Sequence, residues 1–341
     1  RRQRQMCIRD RPYTYRDDVF NAVLPKYLNS GETSLEDVLL RCSFGNPDYE
    51  WAFSNGLMPQ GSILYGASNP KNCSLSNCYF IGIQQDSIEG IMEAAGRAAT
   101  TYKYRGGVGI DLSKLRPRGS TVRNSAKTST GAASFSELFS TVTLTIGQQG
   151  RRGALMLTID GFHPDVSEFI GMKQELGKIE GANVSVKIRD DFMESVKLDS
   201  LYELKHENKV YKTIKATDLF NQLCECAFKR AEPGIIFWDR VLEYGPAAYY
   251  IEPEGTNPCS EIPMPHGDAC TLASIYLPHF VLNPYEKSIS ANFDWPLFEN
   301  VIRKGIDYLD EIKDRDNYPF DFQKEIANKY RRIGLGMHGL G

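Results

Sequence analysis

The sequence lacks any apolar run close to the roughly 18 residues that a membrane-spanning helix needs. It also lacks an excess of positive charge, because 40 Lys and Arg residues stand against 43 Asp and Glu residues, for a formal net charge of -3. No global positive field therefore exists to hold nucleic acid by its phosphates. We expect a soluble globular protein with no membrane contact and no direct DNA binding.

Cysteine is sparse as well. Eight cysteines in 341 residues are too dilute for a secreted scaffold stapled by disulfides, and no signal-peptide pattern opens the chain. We therefore expect a reducing, cytoplasmic setting. The length predicts one large domain or two ordinary ones with a sizeable buried core.

Both ends of the chain have unusual composition. Residues 1-11 hold five arginines and no apolar periodicity, so we interpret them as a foreign or disordered segment. Residues 12-60 are predicted to form a helical N-terminal segment, and residues 61-341 a single further domain. The last nine residues alternate glycine with apolar residues, which is typical of a strand leading into a loop, and we expect the chain to continue beyond them.

From residue 61 onward, short apolar runs alternate with amphipathic stretches, a pattern that predicts a parallel α/β sheet or barrel. Capping-box spacings at Thr33, Asp86 and Ser134 mark three helix starts. The predicted strands are NCYFIGI, GVGIDL, ALMLTI, NVSVKI, GIIFW and ACTLASIYL, and the predicted helices cover 87-102, 135-146, a short stretch after Pro164, 191-197, 218-230 and 296-312.

The densest polar cluster lies at residues 255-275. It places Asn257, Cys259 and Glu261 two residues apart, so on an extended segment all three side chains point to one face. An amide, a sulfur and a carboxylate would then converge. Cys270 follows at the start of the next apolar strand, and a lone cysteine there is also compatible with a small core residue.

The same cluster raises the alternative of a zinc site formed by Cys259, His266 and Cys270. No C-x-x-C or H-x-x-x-H pair, the usual spacing of zinc ligands, occurs in the chain. We therefore expect no metal site, and zinc stays the weaker alternative.

Three other segments carry candidate chemistry. Cys78 opens a buried strand in LSNCYFIGI, and Gly106, Gly107 and Gly109 open another. Because these glycines lead into a strand and not a helix, they do not match the dinucleotide-binding fingerprint. They indicate either close backbone approach to a planar ligand or a tight turn.

The third segment, GQQGRRGALML, places Arg151 and Arg152 between glycines. Such a basic loop suits nucleotide recognition, although a solvated surface turn has the same composition.

Together these segments resemble the catalytic subunit of ribonucleotide reductases. The resemblance runs in order through MPQGSILYGA, LSNCY, GGVGIDLSKLRPRGS, GQQGRRGALM, HPDVSEFI, NPCSE and RRIGLGMHGL, over about residues 57-341. It implies a ten-stranded α/β barrel built from two halves, of which this chain would contain the first half and the start of the second. Residues 61-341 would then be a partial barrel catalytic domain.

The resemblance also implies roles for the polar cluster. A thiyl radical on Cys259 would abstract the 3′ hydrogen of a ribonucleotide, and Glu261 would act as general base on the 3′-hydroxyl. Asn257 would hydrogen-bond the substrate hydroxyls. Cys78 and Cys270 would protonate the departing 2′-hydroxyl and supply two electrons by forming a disulfide.

Two further sets of positions match the family. One set would contact the substrate, a ribonucleoside di- or triphosphate: Ser62, Asn77, Gly106 and Gly107. The other would bind a deoxynucleoside triphosphate effector, with the arginine loop relaying its identity to the substrate site: Asp86, Ser87, Ile88, Arg116, Arg123, Arg151 and Arg152.

The proline of NPCSE and the glycine and arginine segments look more like the adenosylcobalamin-dependent class than the class served by a separate metal-containing subunit. The resemblance further implies a dithiol reductant such as thioredoxin and a homodimer of the full-length protein. Two alternatives stay open: the class with the separate subunit, and a non-catalytic nucleotide-binding relic of the same fold.

Overall fold

The computed structural model describes residues 23-69, 73-123, 125-146, 153-175, 177-246, 248-283 and 292-340. Its helices are α1 (Leu35–Cys42), α2 (Pro47–Ser54), α3 (Gly61–Gly66), α4 (Ile88–Lys103), α5 (Ser136–Thr145), α6 (Val166–Gly171), α7 (Asp190–Lys197), α8 (Ala216–Arg230), α9 (Trp238–Tyr244), α10 (Trp295–Arg315) and α11 (Asp321–Tyr330).

Its strands are β1 (Leu57–Pro59), β2 (Cys78–Phe80), β3 (Gly107–Asp111), β4 (Leu155–Asp160), β5 (Asn183–Ile188), β6 (Leu201–His206), β7 (Lys209–Lys215), β8 (Gly234–Phe237), β9 (Gly255–Thr256), β10 (Pro263–Met264), β11 (Ala269–Tyr276), β12 (Val281–Leu282), β13 (Asn292–Phe293) and β14 (Ile333–His338). The predicted strands and helices from residue 61 onward are all present within a few residues of their predicted bounds.

The chain divides into two compact units. The larger comprises residues 76-271 and 312-334. The smaller comprises the described residues up to 75, residues 272-311, and those from 335 onward. This division does not follow the boundary at residue 60 that composition suggested.

The larger unit contains a sheet in which β2, β3, β4, β5 and β8 lie side by side and all run parallel. The first residues of β11 pair antiparallel with β2. Helices follow the strands along the chain, which confirms the predicted parallel α/β arrangement. Strands β3 and β4 are buried along almost their whole length, as expected where both faces of a parallel sheet are covered.

Helix α4 shows why the sequence forms these elements. Its N-cap is Ser87, whose hydroxyl accepts a hydrogen bond from the Gly90 backbone N–H at 3.0 Å. Ala94, Ala95 and Ala98, spaced at the helical period, are buried in the same core as the strands. The start predicted at Asp86 was therefore one residue early.

The other two predicted helix starts were also displaced. Ser34, not Thr33, caps α1 and forms a reciprocal capping box with Asp37. Ser134 lies in a short 3-10 turn, where its hydroxyl donates to the Gly131 carbonyl oxygen at 2.8 Å, and α5 begins only at Ser136.

In the smaller unit β1 pairs antiparallel with the second part of β11, with Leu57 opposite Ile275. Tyr308 of α10 lies edge-on to Tyr49 and Phe53, with ring centroids 5.0 and 5.2 Å apart. Its hydroxyl donates to the Cys42 carbonyl oxygen at 3.2 Å. The helical prediction for residues 12-60 agrees with α1 and α2, whereas β1 was not predicted. No helix of the described residues is both long and apolar enough to span a bilayer.

Candidate active site

Residues 255-264, here called the cysteine hairpin, carry Asn257, Cys259 and Glu261. Strands β9 and β10 pair antiparallel, with Thr256 opposite Pro263, and residues 257-262 form the connecting loop. The prediction that these residues form an extended segment was wrong. The Ser260 N–H donates to the Asn257 carbonyl oxygen at 3.1 Å, and Ser260 has a positive φ of 66°, so the backbone turns between Asn257 and Glu261.

Asn257 holds this loop together from the inside. Its side chain is fully buried, and its Oδ1 accepts a hydrogen bond from the Ile262 N–H at 3.0 Å. Its Nδ2 lies 3.2 Å from the Cys78 Sγ and donates to it. One amide therefore both closes the loop and joins the hairpin to strand β2.

Cys78 and Cys270 lie opposite each other in the antiparallel pairing of β2 with β11, and both are present as buried thiols. Directly opposite residues of such a pair have Cα atoms roughly 4.5–5.5 Å apart and side chains on one face. A disulfide needs Cα atoms about 4.4–6.8 Å apart. The two sulfurs are therefore placed to couple.

Burial raises the pKa of Cys78 to about 12 and that of Cys270 to about 12. The Asn257 hydrogen bond lowers the pKa of Cys78, whereas negative charge on Glu261, Cys270 and Cys259 raises it. Both thiols therefore carry their protons at neutral pH, and the negative charge of Glu261 raises the pKa of both.

Cys259 and Glu261 are exposed at the tip of the hairpin, in contrast to the buried thiol pair. The five residues predicted from the polar cluster and its partners are thus brought together in the larger unit: Asn257, Cys259, Glu261, Cys78 and Cys270. The arrangement combines an accessible thiol, a carboxylate and a reduced dithiol.

The glycines of GGVG let the hairpin approach strand β3. A Cβ at Gly109 would overlap the carbonyl oxygen of Thr256, and one at Gly107 would lie 2.7 Å from the Pro258 Cγ. Gly106 packs differently, since a Cβ there would lie 2.6 Å from the Tyr79 ring. The approach predicted here was to a planar ligand; the structure shows instead that the chain's own hairpin approaches Gly107 and Gly109, which lie within a strand and not in a tight turn.

Two of the predicted substrate contacts offer buried polar atoms. The Asn77 Oδ1 and the Ser62 Oγ are both buried, and neither has a hydrogen-bond partner within the part of the chain that the structure describes. The Asn77 backbone is committed, because its N–H donates to the Cys270 carbonyl oxygen at 3.0 Å and its carbonyl oxygen accepts from Gly107 at 2.8 Å. Asn77 belongs to the larger unit and Ser62 to the smaller.

The predicted effector residues gather partly at the start of α4. The Arg116 Nε donates to the Asp86 carboxylate at 2.6 Å, and its Nη2 donates to the Asp86 carbonyl oxygen at 2.8 Å. Ser87 caps the helix and Ile88 is exposed in its first turn. Arg123 is exposed in the loop after β3. Arg151 and Arg152 lie outside the described residues.

One charged cluster was missed by the sequence reasoning. Lys187 of β5 is buried, with its Nζ 2.9 Å from an Asp111 carboxylate oxygen and 3.2 Å from one of Asp160. Burial alone would lower the pKa of Lys187, but the two carboxylates outweigh it and raise that pKa. The available signal was a lysine inside a predicted buried strand, NVSVKI, preceded along the chain by two strands that each end in aspartate.

The zinc alternative gains no support from the geometry. The His266 Nδ1 accepts a hydrogen bond from the Gly82 N–H at 2.9 Å, and the Cys270 Sγ lies 3.5 Å from the Thr271 carbonyl oxygen to which it donates. Among the described residues, no three His, Cys, Asp or Glu side chains form a group that could hold a metal ion.

The chain is similar to known proteins over most of its length. The chain is 32% identical over 270 residues to a vitamin B12-dependent ribonucleoside-diphosphate reductase of Mycobacterium tuberculosis, covering 78% of this chain and 38% of that relative. It is 32% identical over 287 residues to the enzyme of the same name from Thermoplasma acidophilum, covering 83% and 36%. It is 28% identical over 313 residues to the ribonucleoside-diphosphate reductase large subunit of variola virus, covering 81% and 39%.

The chain thus spans less than two fifths of the length of these relatives. Residues 76–341 match the family described as ribonucleotide reductase, barrel domain. That match covers more than three quarters of the chain, and it includes the cysteine hairpin and both members of the buried thiol pair. The chain therefore belongs to the ribonucleotide reductase family.

Proposed function

We propose that this chain is part of the catalytic subunit of a ribonucleotide reductase that converts ribonucleotides to deoxyribonucleotides for DNA precursor synthesis. The observation that carries the proposal is the placement of a reduced dithiol, Cys78 and Cys270, beside a hairpin that presents the thiol of Cys259. A reaction that removes a hydroxyl from a ribose needs two electrons and a proton donor, and this pair supplies both.

Each residue of the site is proposed to carry out one step of the reaction. A thiyl radical on Cys259 abstracts the 3′ hydrogen, and Glu261 accepts the 3′-hydroxyl proton. The 2′-hydroxyl takes a proton from the dithiol and leaves as water. Cys78 and Cys270 together give two electrons and two protons and end as a disulfide, so that a ribonucleotide and two thiols yield a deoxyribonucleotide, a disulfide and water.

The raised pKa values of the pair support this assignment. A thiol that is fully protonated at neutral pH acts as a proton donor, whereas a thiolate would not. Asn257 keeps one sulfur oriented through its hydrogen bond to Cys78. After turnover the disulfide is returned to the dithiol by an external dithiol reductant such as thioredoxin.

The substrate is proposed to be a ribonucleoside diphosphate, in line with the names of the relatives. The unsatisfied Oδ1 of Asn77 in the larger unit would receive one of its polar groups, because a buried acceptor without a partner is costly until a ligand fills it. Ser62 of the smaller unit is proposed as a further substrate contact on the family resemblance alone. The backbone at Gly106 and Gly107 completes this set.

The regulatory site is proposed at the start of α4, where a deoxynucleoside triphosphate would meet Asp86, Ser87 and Ile88 together with Arg116. Arg123, Arg151 and Arg152 would take part. The ten-stranded barrel and the homodimer belong to the full-length protein and are part of the same proposal.

The radical source is proposed to be adenosylcobalamin, which supplies a hydrogen-abstracting radical when it is bound. The names of two of the relatives support this. The exposed position of Cys259 at the hairpin tip fits a radical source that must reach the sulfur from outside the hairpin.

The test is the reduction of a ribonucleoside diphosphate by the full-length parent protein with a dithiol, with and without adenosylcobalamin. We expect activity only with the cofactor, loss of activity in Cys259→Ser, and normal activity in Cys224→Ser, which changes an exposed cysteine on α8. Activity that needs a separate metal-containing subunit would move the protein to the other class. Effector binding without any cysteine-dependent turnover would show a nucleotide-binding relic.

A further inference from the structure

The two ends of the cysteine hairpin are fixed by a set of contacts to which no role has been assigned. Glu254 precedes the hairpin and His266 follows it by two residues. The Glu254 N–H donates to the Met264 carbonyl oxygen at 3.0 Å, and the His266 N–H donates to the Glu254 Oε1 at 3.2 Å. These two bonds close the base of the hairpin.

Glu254 ties that base to two other elements of the larger unit. Its Oε2 lies 2.5 Å from the Nζ of Lys114, in the segment after β3. Its carbonyl oxygen accepts from the buried Nζ of Lys187 on β5 at 3.1 Å. The carboxylate and the backbone of one residue therefore connect the hairpin to the segment after β3 and to the end of β5, two strands that lie on either side of β4.

His266 ties the other side of the base to the segment that follows β2. Its Nδ1 lies 2.9 Å from the Gly82 N–H, and since an N–H can only donate, Nδ1 must be the unprotonated acceptor. Its ring stacks on Phe322 of α11, with centroids 5.0 Å apart. The Arg97 guanidinium also lies over the Phe322 ring, 4.5 Å from its centroid.

Burial and two neighbouring cations oppose a second proton on the imidazole. Burial lowers the pKa of His266; Glu254 and Glu93 oppose this, whereas Arg97 and Lys114 lower that pKa further. A proton on Nδ1 would remove the acceptor for Gly82 and place a cation 3.3 Å from the Arg97 Nη1. The neutral ring is the form that holds the hairpin.

We propose that Glu254 and His266 are positioning residues for the cysteine hairpin, and that protonation of His266 detaches the base of the hairpin from the segment after β2. Glu254 fixes the position of the first strand of the hairpin, and His266 fixes the position of the second. Between them the loop keeps Asn257 at bonding distance from Cys78. The inference rests on the proposed function only in that Cys259 on this loop is the reacting thiol.

The experiment measures backbone hydrogen exchange in the full-length parent protein between pH 7.5 and pH 5, corrected for the intrinsic pH dependence of exchange. Protection of Gly82, Ser260 and Ile262 should be complete above about pH 6.5, the ordinary pKa of histidine, and should fall as the pH passes through the lowered pKa of His266. A drop of roughly tenfold in protection is the size expected from loss of one hydrogen bond. Amides of β3 and β4 should not change.

Two variants separate charge from packing. His266→Asn keeps an acceptor near the Nδ1 position and cannot be protonated at these pH values, so its hairpin should stay protected down to pH 5. His266→Phe keeps the stacked ring but has no acceptor, so its hairpin should exchange faster at every pH. His279→Asn, which changes a half-buried histidine of the smaller unit, is the matched control and should behave as the unmodified protein.

The proposal fails if the unmodified hairpin keeps its protection at pH 5, or if His266→Asn loses protection as the unmodified protein does. These readouts do not depend on turnover. A protein with the expected exchange behaviour but no cysteine-dependent reduction would keep the positioning role and refute the reductase. In an active enzyme, kcat of His266→Asn should fall at a lower pH than kcat of the unmodified protein.

Discussion

Cys78 on β2 lies directly opposite Cys270 on β11 in an antiparallel strand pair. The two residues are 192 positions apart in the chain, yet backbone pairing alone sets their separation. The strands need not move for the sulfurs to join, so the sheet itself is the framework of the redox pair.

Mild oxidation of the purified protein should link Cys78 to Cys270. The pair is in register and both thiols are present, whereas Cys42 is buried in the core of the smaller unit and serves as an internal control. Peptide mass spectrometry after digestion without reductant measures the linkage. A dominant link between Cys259 and Cys270 would contradict the assignment of the pair.

Replacement of Asn257 by alanine should destabilise the hairpin and misplace Cys78. The change leaves the Ile262 N–H and the Cys78 sulfur without their side-chain partner, which costs about 1–3 kcal/mol for a buried group. Urea unfolding of Asn257→Ala and the unmodified protein measures the difference. An unchanged unfolding free energy would show that the loop holds without this amide.

A single methyl group on β3 should disturb the hairpin. In Gly109→Ala the new Cβ would meet the carbonyl oxygen of Thr256, a backbone atom that cannot rotate away, and we expect a loss of about 3 kcal/mol or more. Gly96→Ala is the matched control, because Gly96 lies within α4 with open space around it; there alanine should stabilise by about 0.5–1 kcal/mol. Thermal unfolding of both variants measures the change in stability. An equal change in Gly109→Ala and Gly96→Ala would contradict the close approach of the hairpin to β3.

Removal of the buried cation should destabilise the larger unit strongly. Lys187→Met leaves the Asp111 and Asp160 carboxylates buried without their partner, which costs about 3–5 kcal/mol. Lys197→Met, on the exposed face of α7, should have little effect. Adding Asp111→Asn and Asp160→Asn to Lys187→Met should recover part of the loss in chemical denaturation, and no recovery would contradict the ion cluster as the cause.

Stability should fall below neutral pH because of buried histidines. His163 is buried, its Nδ1 accepts from the Asp165 N–H at 3.0 Å and its ring faces the Leu115 carbonyl oxygen at 2.9 Å. Burial lowers the pKa of His163 in the folded protein, so the unfolded chain binds the proton more tightly. The contribution of His163 to the free energy of unfolding should be complete above about pH 6.5 and should decline as the pH falls towards the lowered pKa.

The measurement is urea unfolding of the unmodified protein and of His163→Gln at pH 7.5, 6.5 and 5.5. His163→Gln should be less stable than the unmodified protein at pH 7.5, and its free energy of unfolding should fall by a smaller amount between pH 7.5 and pH 5.5. His338→Gln, which changes an exposed histidine, should follow the unmodified protein. A pH dependence identical in all three would assign the acid loss to other groups.

The parallel strands and their helices could be predicted because each has a local signature. NVSVKI and ALMLTI are short apolar runs, and the alanines of α4 recur at the helical period. The hairpin of β6 and β7 was missed because β7 is exposed along most of its length and shows no alternation of buried and exposed positions. Helix α11 was likewise missed.

The chemistry of the site could be predicted only at the level of residue types. Asn257, Cys259 and Glu261 are adjacent in sequence and stood out, whereas their mutual orientation depends on a loop closed by a side-chain bond to Ile262. The contacts of Glu254, His266 and Lys187 join segments that are far apart in the sequence. Such pairings follow from the sheet order, which no local pattern records.

The glycines of β3 also determine how the site tolerates change. Because the strand has no side chain under Thr256 and only Gly107 under Pro258, the hairpin loop shares almost no interlocking side chains with the strand beneath it. The exposed tip of the loop can then be varied without redesign of the sheet, whereas Asn257 must stay because its amide closes the loop, and Gly107 and Gly109 accept no larger residue. An engineer who wishes to alter the reacting thiol should therefore vary residues 259-261 and leave residues 107-109 untouched.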